Sequence, residues 1–405
     1  MTRRMSERRT SIIGAMLATI GPISMSIYTP AMPELVTAFG STEAVIKLTL
    51  SVYFAGFAMA QLLAGPMSDA FGRRPATVGF VGVYMLGSLI AAFTPSVEWL
   101  LAGRLVQGVG ASVGMTVARA IVRDQFVGAE SARIMNLIGI MLAIGPAIAP
   151  TIGGLALATF GWQSIFFLLV GFGLMLATVV LAFMRETSVP DRSRARPAGL
   201  AKAYGELVLN ARFISAVIVL GGSVGALYAQ ATMLPFILIG KVGMTPTAFG
   251  LGMMMQSGAY FFGSISLRFA VPKLGGEGSV RAGLSMLGLG GLMMAISVRA
   301  IEPSYLTIMV PVAFLTFGIA FLTPHMSTAA LSSFPHIAGS ASAMMGFIQM
   351  TCGFLGGLAA ALIGMPTLAF GTVIPLMVLT AILSYVWFLR ATQREVLAAA
   401  PSPGE

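Results

Sequence analysis

The sequence encodes an all-α polytopic membrane protein, with twelve transmembrane helices in two halves of six. Three observations carry that expectation. The first is composition: 57% of the residues are hydrophobic and 9% charged, where soluble domains hold about 45–50% and about 25%. A water-soluble chain of 405 residues needs more charge to cover its surface, and a disordered one is polar. The second is a series of about twelve apolar runs, each long enough to cross hydrocarbon, which takes roughly 20 helical residues. The third is the placement of charge. The net charge of +10 is not gathered into one nucleic-acid-binding patch. Lys and Arg recur between the runs, as the positive-inside rule requires.

The runs lie near 11–33, 45–66, 77–95, 98–120, 134–158, 163–184, 213–238, 249–270, 282–299, 304–330, 338–362 and 371–389. Gly and Pro inside them are compatible with membrane helices. Arg3, Arg4, Arg8 and Arg9 precede the first run without a short apolar segment and an A-x-A-like cleavage site, so run one is expected to remain as a span. The longest polar stretch, 185–212, carries Arg185, Arg192, Arg194, Arg196, Lys202 and Arg212 with Pro190 and Pro197. It divides the chain into an N-terminal half, 1–184, a cytoplasmic linker, 185–212, a C-terminal half, 213–390, and a cytoplasmic tail, 391–405. Within the linker, Leu200–Val208 reads either as a solvated basic loop or as a short interfacial helix. With the N-terminus inside, about 19 of the 24 Lys and Arg fall on cytoplasmic segments, which places both termini there. Lys47, Lys241 and Arg299 fall near the outer side.

Several classes are excluded. One cysteine, Cys352, forms no intramolecular disulfide, and with two histidines it makes no zinc site. There is no Walker loop, no metal-ligand spacing and no Ser-His-Asp grouping. The chain is therefore expected to be no enzyme and to hold no metal or cofactor.

Three segments carry chemistry. Gly65 to Pro75 contains Asp69, Gly72, Arg73 and Arg74. A tight turn at the surface needs a glycine such as Gly72, and Asp69 can accept from a helix N-terminus or an arginine. In the second half, Gly263 to Arg268 has a similar opening with Leu267 at the Asp position, a weak internal repeat. Run four carries Arg104, then Gln107, Gly108 and Gly110. An arginine inside an apolar helix is costly and reads as functional; the alternative is snorkelling to the outer interface. Run five carries Gly139, Gly145-Pro146, Pro150 and Gly153-Gly154, small residues for close packing and prolines that bend a helix.

The first of these segments resembles the G-x-L-a-D-r-x-G-r-r loop of the major facilitator superfamily, with Met67 and Ala70 at the Leu and Arg positions. The second is similar to its fourth-helix R-x-x-Q-G-x-G-a motif, and the third to the Gly-Pro antiporter motif of its exporters. Ile27-Tyr28-Thr29-Pro30-Ala31-Met32-Pro33 looks like the Y-x-P-A-x-P string of the bicyclomycin/chloramphenicol resistance (Bcr/CflA) drug-efflux family. Ala118 to Asp124, Gly161 to Phe166, Pro235 to Leu238 and Gly339 to Ala343 resemble further landmarks of that family. The resemblance implies the major facilitator fold, and export of drugs or other small amphipathic molecules by alternating access, driven by proton antiport. It implies a bacterial inner-membrane protein whose partners are a small-molecule substrate and the bilayer, no nucleic acid, and a monomer. The loop around Asp69 would hold the cytoplasmic ends together in the outward-facing state.

Two departures stand out. Ser26 occupies the position where the family has an Asp, and serine carries no proton at physiological pH. Lys47 stands where the family has Gln. It either pairs with Glu43 four residues before it or joins Arg104 in making the outer cavity cationic. No acidic residue falls at the centre of a run. Proton coupling therefore competes with an uncoupled or other-ion-coupled carrier, a uniporter or importer of a small metabolite, and a non-transporting membrane sensor is a more distant alternative. The expected coupling and substrate residues are Arg104, Lys47, Ser26, Tyr28 and Gln107.

Overall fold

The computed structural model describes residues 5–192 and 196–399. Arg3, Arg4, Arg194 and the end of the expected tail, 400–405, lie outside the described residues. Among the described residues the regular structure is all helical. Eleven continuous stretches are long and apolar enough to cross a membrane. One of them, Pro246–Ala300, turns at Gly275, where φ is 70° and ψ is −179°. The chain direction breaks there, so this stretch supplies spans eight and nine and the count reaches twelve, with span one at Glu7–Ala38, span four at Val97–Gln125, span five at Gly128–Phe160, span seven at Ala211–Ala231 and span eleven at Pro335–Ile363. The weak repeat at Gly263–Arg268 lies within helix, as Gly65–Phe71 does in the first half, and the second-half turn sits at Gly275.

The helices outrun the apolar runs that mark them. Span two covers Glu43–Phe71, where hydropathy marks 45–66. The polar residues on its last turns still bond within the helix or to neighbouring helices, so helix continues past the hydrocarbon. The expected loop from Gly65 to Pro75 is a single residue, Gly72, between helices ending at Phe71 and starting at Arg73. The linker stretch Leu200–Val208 is helical, part of Pro197–Leu209.

Two hydrophobic cores form. One gathers buried residues from Met5 to Met184 together with Phe236, and the other gathers residues from Leu207 to Phe388. Large apolar side chains such as Met59, Leu86, Leu174, Leu292 and Leu362 are exposed on the outside. A surface of this kind suits a hydrocarbon solvent.

A chain of polar contacts defines one face. The Met5 N–H donates to Gln125 Oε1 at 2.8 Å, Arg73 Nε to Asp124 Oδ2 at 3.0 Å, and the Arg73 N–H to Glu186 Oε1 at 2.8 Å. The Tyr204 hydroxyl donates to the Leu62 carbonyl at 2.7 Å, His336 meets Glu206 at 3.1 Å, and Arg212 meets Glu395 at 3.2 Å. Both ends of the described chain lie on this face, called here the terminal face. On the opposite, distal face, Lys47 Nζ donates to the Gly364 carbonyl at 3.3 Å, Lys241 to Thr367 at 3.0 Å and Arg299 to Thr372 at 2.9 Å. The halves meet where span two packs along span eleven and span five along the start of span eight.

Candidate functional site

A cavity of about 350 Å³ lies between the halves. Its shape follows from local breaks in the helices around it. In span one, Pro30 has no N–H to return to the Ser26 carbonyl. The Thr29 hydroxyl takes that acceptor instead, at 2.8 Å, and the helix yields to a short 3₁₀ turn. Ser26 and Thr29 thereby line the cavity. In span four the helix tightens for one turn at Ser112, whose N–H and hydroxyl both donate to the Val109 carbonyl, at 3.4 and 2.7 Å. In span five, Pro146 and Pro150 sit inside the helix and face the cavity with Gly139.

The distal end of the cavity is shut. Gly154 lies against the Pro246 carbonyl, and Gly250 against the backbone of Pro150 and Thr151, so closely that neither site has room for a Cβ. Small residues permit this approach. Toward the terminal face the same two spans border open space: a Cβ on Gly139 or Gly258 would meet nothing within 4 Å. Gly153 packs on the Ile27 carbonyl, and Gly145 on the side chains of Ile23 and Thr19. Of the motif residues in span five, then, Gly139, Pro146 and Pro150 line the cavity, Gly154 forms its seal against span eight, and Gly145 and Gly153 pack within the first half.

Of the expected coupling and substrate residues, the cavity takes Ser26 and leaves Arg104, Lys47, Tyr28 and Gln107 outside its wall. Arg104 is fully buried inside the first half. Its guanidinium carbon lies 4.3 Å from the Tyr28 ring centroid and 4.5 Å from that of Tyr53, and it donates to Gln107 Oε1. Gln107 Nε2 passes the chain on to Ser88 Oγ at 2.7 Å. Snorkelling is therefore overturned: the helix is wrapped by its own half, and the side chain never reaches an interface. Lys47 is also fully buried. It pairs with Glu43 Oε2 at 3.4 Å and lies 5.1 Å from the Phe236 ring centroid. In this distally shut structure Lys47 and Arg104 share no cavity: tyrosine rings enclose one charge, and the seam between spans two, seven and eleven encloses the other.

The charge in the cavity is Arg119, which the sequence showed only as part of a string after run four. Its Nη1 donates to Ser342 Oγ at 2.7 Å, across the two halves. Tyr228, Tyr260, Phe57, Gln61, Gln256 and Gln349 join it in the wall, with five methionines including Met25, Met253 and Met345. Among the described residues no Asp or Glu lines the cavity.

The segment around Asp69 forms a closed network. Arg73 is nearly fully buried and bonds Asp69 at 2.5 Å, Asp124 at 3.0 Å and Ser68 at 2.7 Å. Gly72, at φ 100°, is followed by the Arg73 and Arg74 N–H groups, which donate to Glu186 at 2.8 and 3.1 Å. The Glu186 carboxylate occupies the space that a Cβ on Gly72 would need. An anion at a helix N-terminus satisfies orphan donors and the helix dipole. Arg74 Nη2 donates to the Leu181 carbonyl at 2.5 Å, and the Asp191 N–H to the Asp69 carbonyl at 3.0 Å. Ala70 stands where an arginine was expected, and the network closes without it. Glu186 lies 113 residues from Arg73, a separation that hid this partner from sequence reading.

Two helical halves around a cavity shut at one end define a membrane transporter. The sequence profile of the Major Facilitator Superfamily matches residues 14–361, and the chain belongs to that superfamily. The chloramphenicol resistance protein of Pseudomonas aeruginosa is 30% identical over 334 residues, which cover 81% of this chain and 77% of that one. Multidrug resistance protein MdtL of Klebsiella pneumoniae (strain 342) is 27% identical over 383 residues, covering 94% and 95%. A solved structure of a bacterial homologue of the human lysosomal transporter Spinster, inward-facing and unoccupied, shares the fold. Its TM-score is 0.73 at 14% identity, over 98% of this chain and 99% of that one. The protein is a multi-pass, non-enzymatic transporter with drug-resistance proteins among its relatives.

Proposed function

We propose that the protein exports drugs or other small amphipathic molecules across a bacterial inner membrane by alternating access, using the proton gradient as an antiporter. The observation that carries this reading is the cavity between the halves, sealed distally by Gly154 and Gly250 and walled by aromatic, methionine and amide side chains. Such a wall suits apolar compounds of varied shape. The relatives named for chloramphenicol and multidrug resistance support the substrate class. In this reading the terminal face is cytoplasmic, with both termini and the linker on it, so the structure is open inward. The segments 1–184 and 213–390 are the two bodies that rock, within a monomer that needs no cofactor and no nucleic acid. The network of Asp69, Arg73 and Arg74 at Gly65–Gly72 braces the first half while its partners on the second half change.

One observation favours a second reading. Ser26 lines the cavity and no carboxylate does, so a carrier without proton coupling, or coupled to another ion, suits the wall as well. Inverted membrane vesicles distinguish the two. Uptake of antibiotics and fluorescent amphiphiles that rises with an imposed pH gradient supports antiport. Uptake indifferent to the gradient supports the uncoupled carrier, and absence of any uptake defeats both.

A further inference from the structure

We propose that the cavity selects amphipathic organic anions and that Arg119 is the group that takes their carboxylate or other oxyanion. This deepens the transport reading above and rests on it.

The charge balance of the wall is the starting point. Among the described residues, Arg119 is the one charged side chain that lines the cavity. Three arginines of the first half, Arg73, Arg104 and Arg119, are each treated differently. Arg73 has two carboxylates. Arg104 has two tyrosine rings and an amide oxygen. Arg119 has one hydroxyl, Ser342 Oγ, and no carboxylate within ion-pair distance among the described residues. A guanidinium carries five N–H donors in a flat fork that matches a carboxylate. One is satisfied by Ser342, and the rest of the fork is left to whatever enters the cavity. A charge at membrane depth without a counter-ion is costly, and a ligand that supplies the counter-ion removes that cost.

A second polar group stands beside it. Ser342 and Gly346 lie one helical turn apart on span eleven, and the Gln61 amide packs on Gly346 as Arg119 packs on Ser342. Gln61 Oε1 is buried without a partner, and its amide lines the cavity. Arg119 thus supplies the donors for an oxyanion, and Gln61 Oε1 an acceptor for a hydroxyl or N–H elsewhere on the same molecule. Phe57, Tyr228, Met25 and Met253 supply the apolar surface for the rest of the molecule. With no carboxylate in the wall, an organic cation would meet an unscreened guanidinium and nothing to balance it.

The test uses the purified full chain in lipid nanodiscs and three probes of one shape: 1-naphthaleneacetate, its neutral amide, and 2-(1-naphthyl)ethylammonium, each radiolabelled for equilibrium binding. The acid is expected to bind about tenfold or more tighter than the amide, a difference typical of a charge-assisted pair, and the ammonium most weakly. In Arg119→Gln the ratio of acid to amide affinity falls to near one. Arg119→Lys, which keeps the charge, retains a preference and controls for folding. Equal binding of acid and amide overturns the proposal, as does a preference for the ammonium, an acid preference that survives Arg119→Gln, or binding of none of the three. The same probes in inverted vesicles separate this from the export reading. An Arg119-dependent acid preference without uptake defeats export and leaves the anion site. Uptake without any charge preference defeats the anion site and leaves export.

Discussion

The guanidinium carbon of Arg104 stands 4.3 Å from the ring centroid of Tyr28, and the Tyr28 hydroxyl is tied to Thr49 Oγ1 at 2.6 Å. The arginine thus reaches through Tyr28 to span two without touching the cavity. Cation–π contacts are worth about 0.5–2 kcal/mol each, less than the several kcal/mol that a buried charge costs to desolvate. An apolar residue of similar volume is therefore expected to leave stability unchanged or raised. Arg104→Met should match or exceed the wild-type melting temperature in detergent and yet lose about tenfold or more of its export rate, equivalent to about 1.4 kcal/mol. Full export by Arg104→Met would reduce this arginine to a packing element.

Arg73 presents a contrasting case, because its fork reaches Asp69, Asp124 and Ser68 at once. Lysine supplies one point of charge and cannot make all three bonds. Arg73→Lys is expected to cost about 1–3 kcal/mol, the scale of hydrogen bonds to charged groups left unmade. Differential scanning fluorimetry should show a lower melting temperature, and an unchanged one would mean that the network carries no stability.

The distal seal at Gly154 can be opened by adding bulk. Gly154→Val places branched carbons against the Pro246 carbonyl, and the two backbones must separate. A cysteine at Thr29, in a background where Cys352 is alanine, reports on that opening. A membrane-impermeant maleimide added from the distal side should label it several-fold faster with Gly154→Val than without. Equal labelling rates would show that the seal lies elsewhere.

Tyr204 anchors the linker helix Pro197–Leu209 to span two through the Leu62 carbonyl. Burial pushes its phenol up to about 12, from 10.0. Folding thus favours the protonated phenol, so its contribution is fully present below pH 10 and falls as pH rises from there toward about 12. Across physiological pH the anchor is constant. Tyr204→Phe should raise hydrogen exchange over 197–209, by the same factor at pH 6 and pH 8. A variant with wild-type protection would show that packing alone holds the helix.

The helices were legible because a span needs an apolar stretch of fixed length, and the sequence displays those stretches directly. Their ends were less so, since polar residues such as Ser68 and Asp69 continue the helix once tertiary partners accept their hydrogen bonds. The turn at Gly275 lies eight residues beyond Leu267, whereas Gly72 lies three beyond Asp69, so the weak repeat did not mark it. For the cavity, sequence reading found Ser26, Gly139, Pro146 and Pro150, each marked by an unusual residue type. It favoured Arg104 over Arg119, two arginines fifteen residues apart on one span. Arg104 faces Tyr28 and Tyr53 within its own half and Arg119 faces Ser342 on the opposite half, a difference of tertiary neighbours that no local pattern carries. Asp124, five residues from Arg119 in sequence, hid its lack of a counter-ion, because the structure gives that carboxylate to Arg73.

The linker helix is fastened on two sides. Tyr204 holds it to span two, while Leu207 is buried in the second core and Glu206 meets His336 beside span eleven. It straddles the gap between the bodies on the terminal face. When that face closes, the distance it bridges changes and one of these fastenings must slip. The connection is thus a tether between the two bodies, and any closure of that face has to break or re-form a bond at one of its ends.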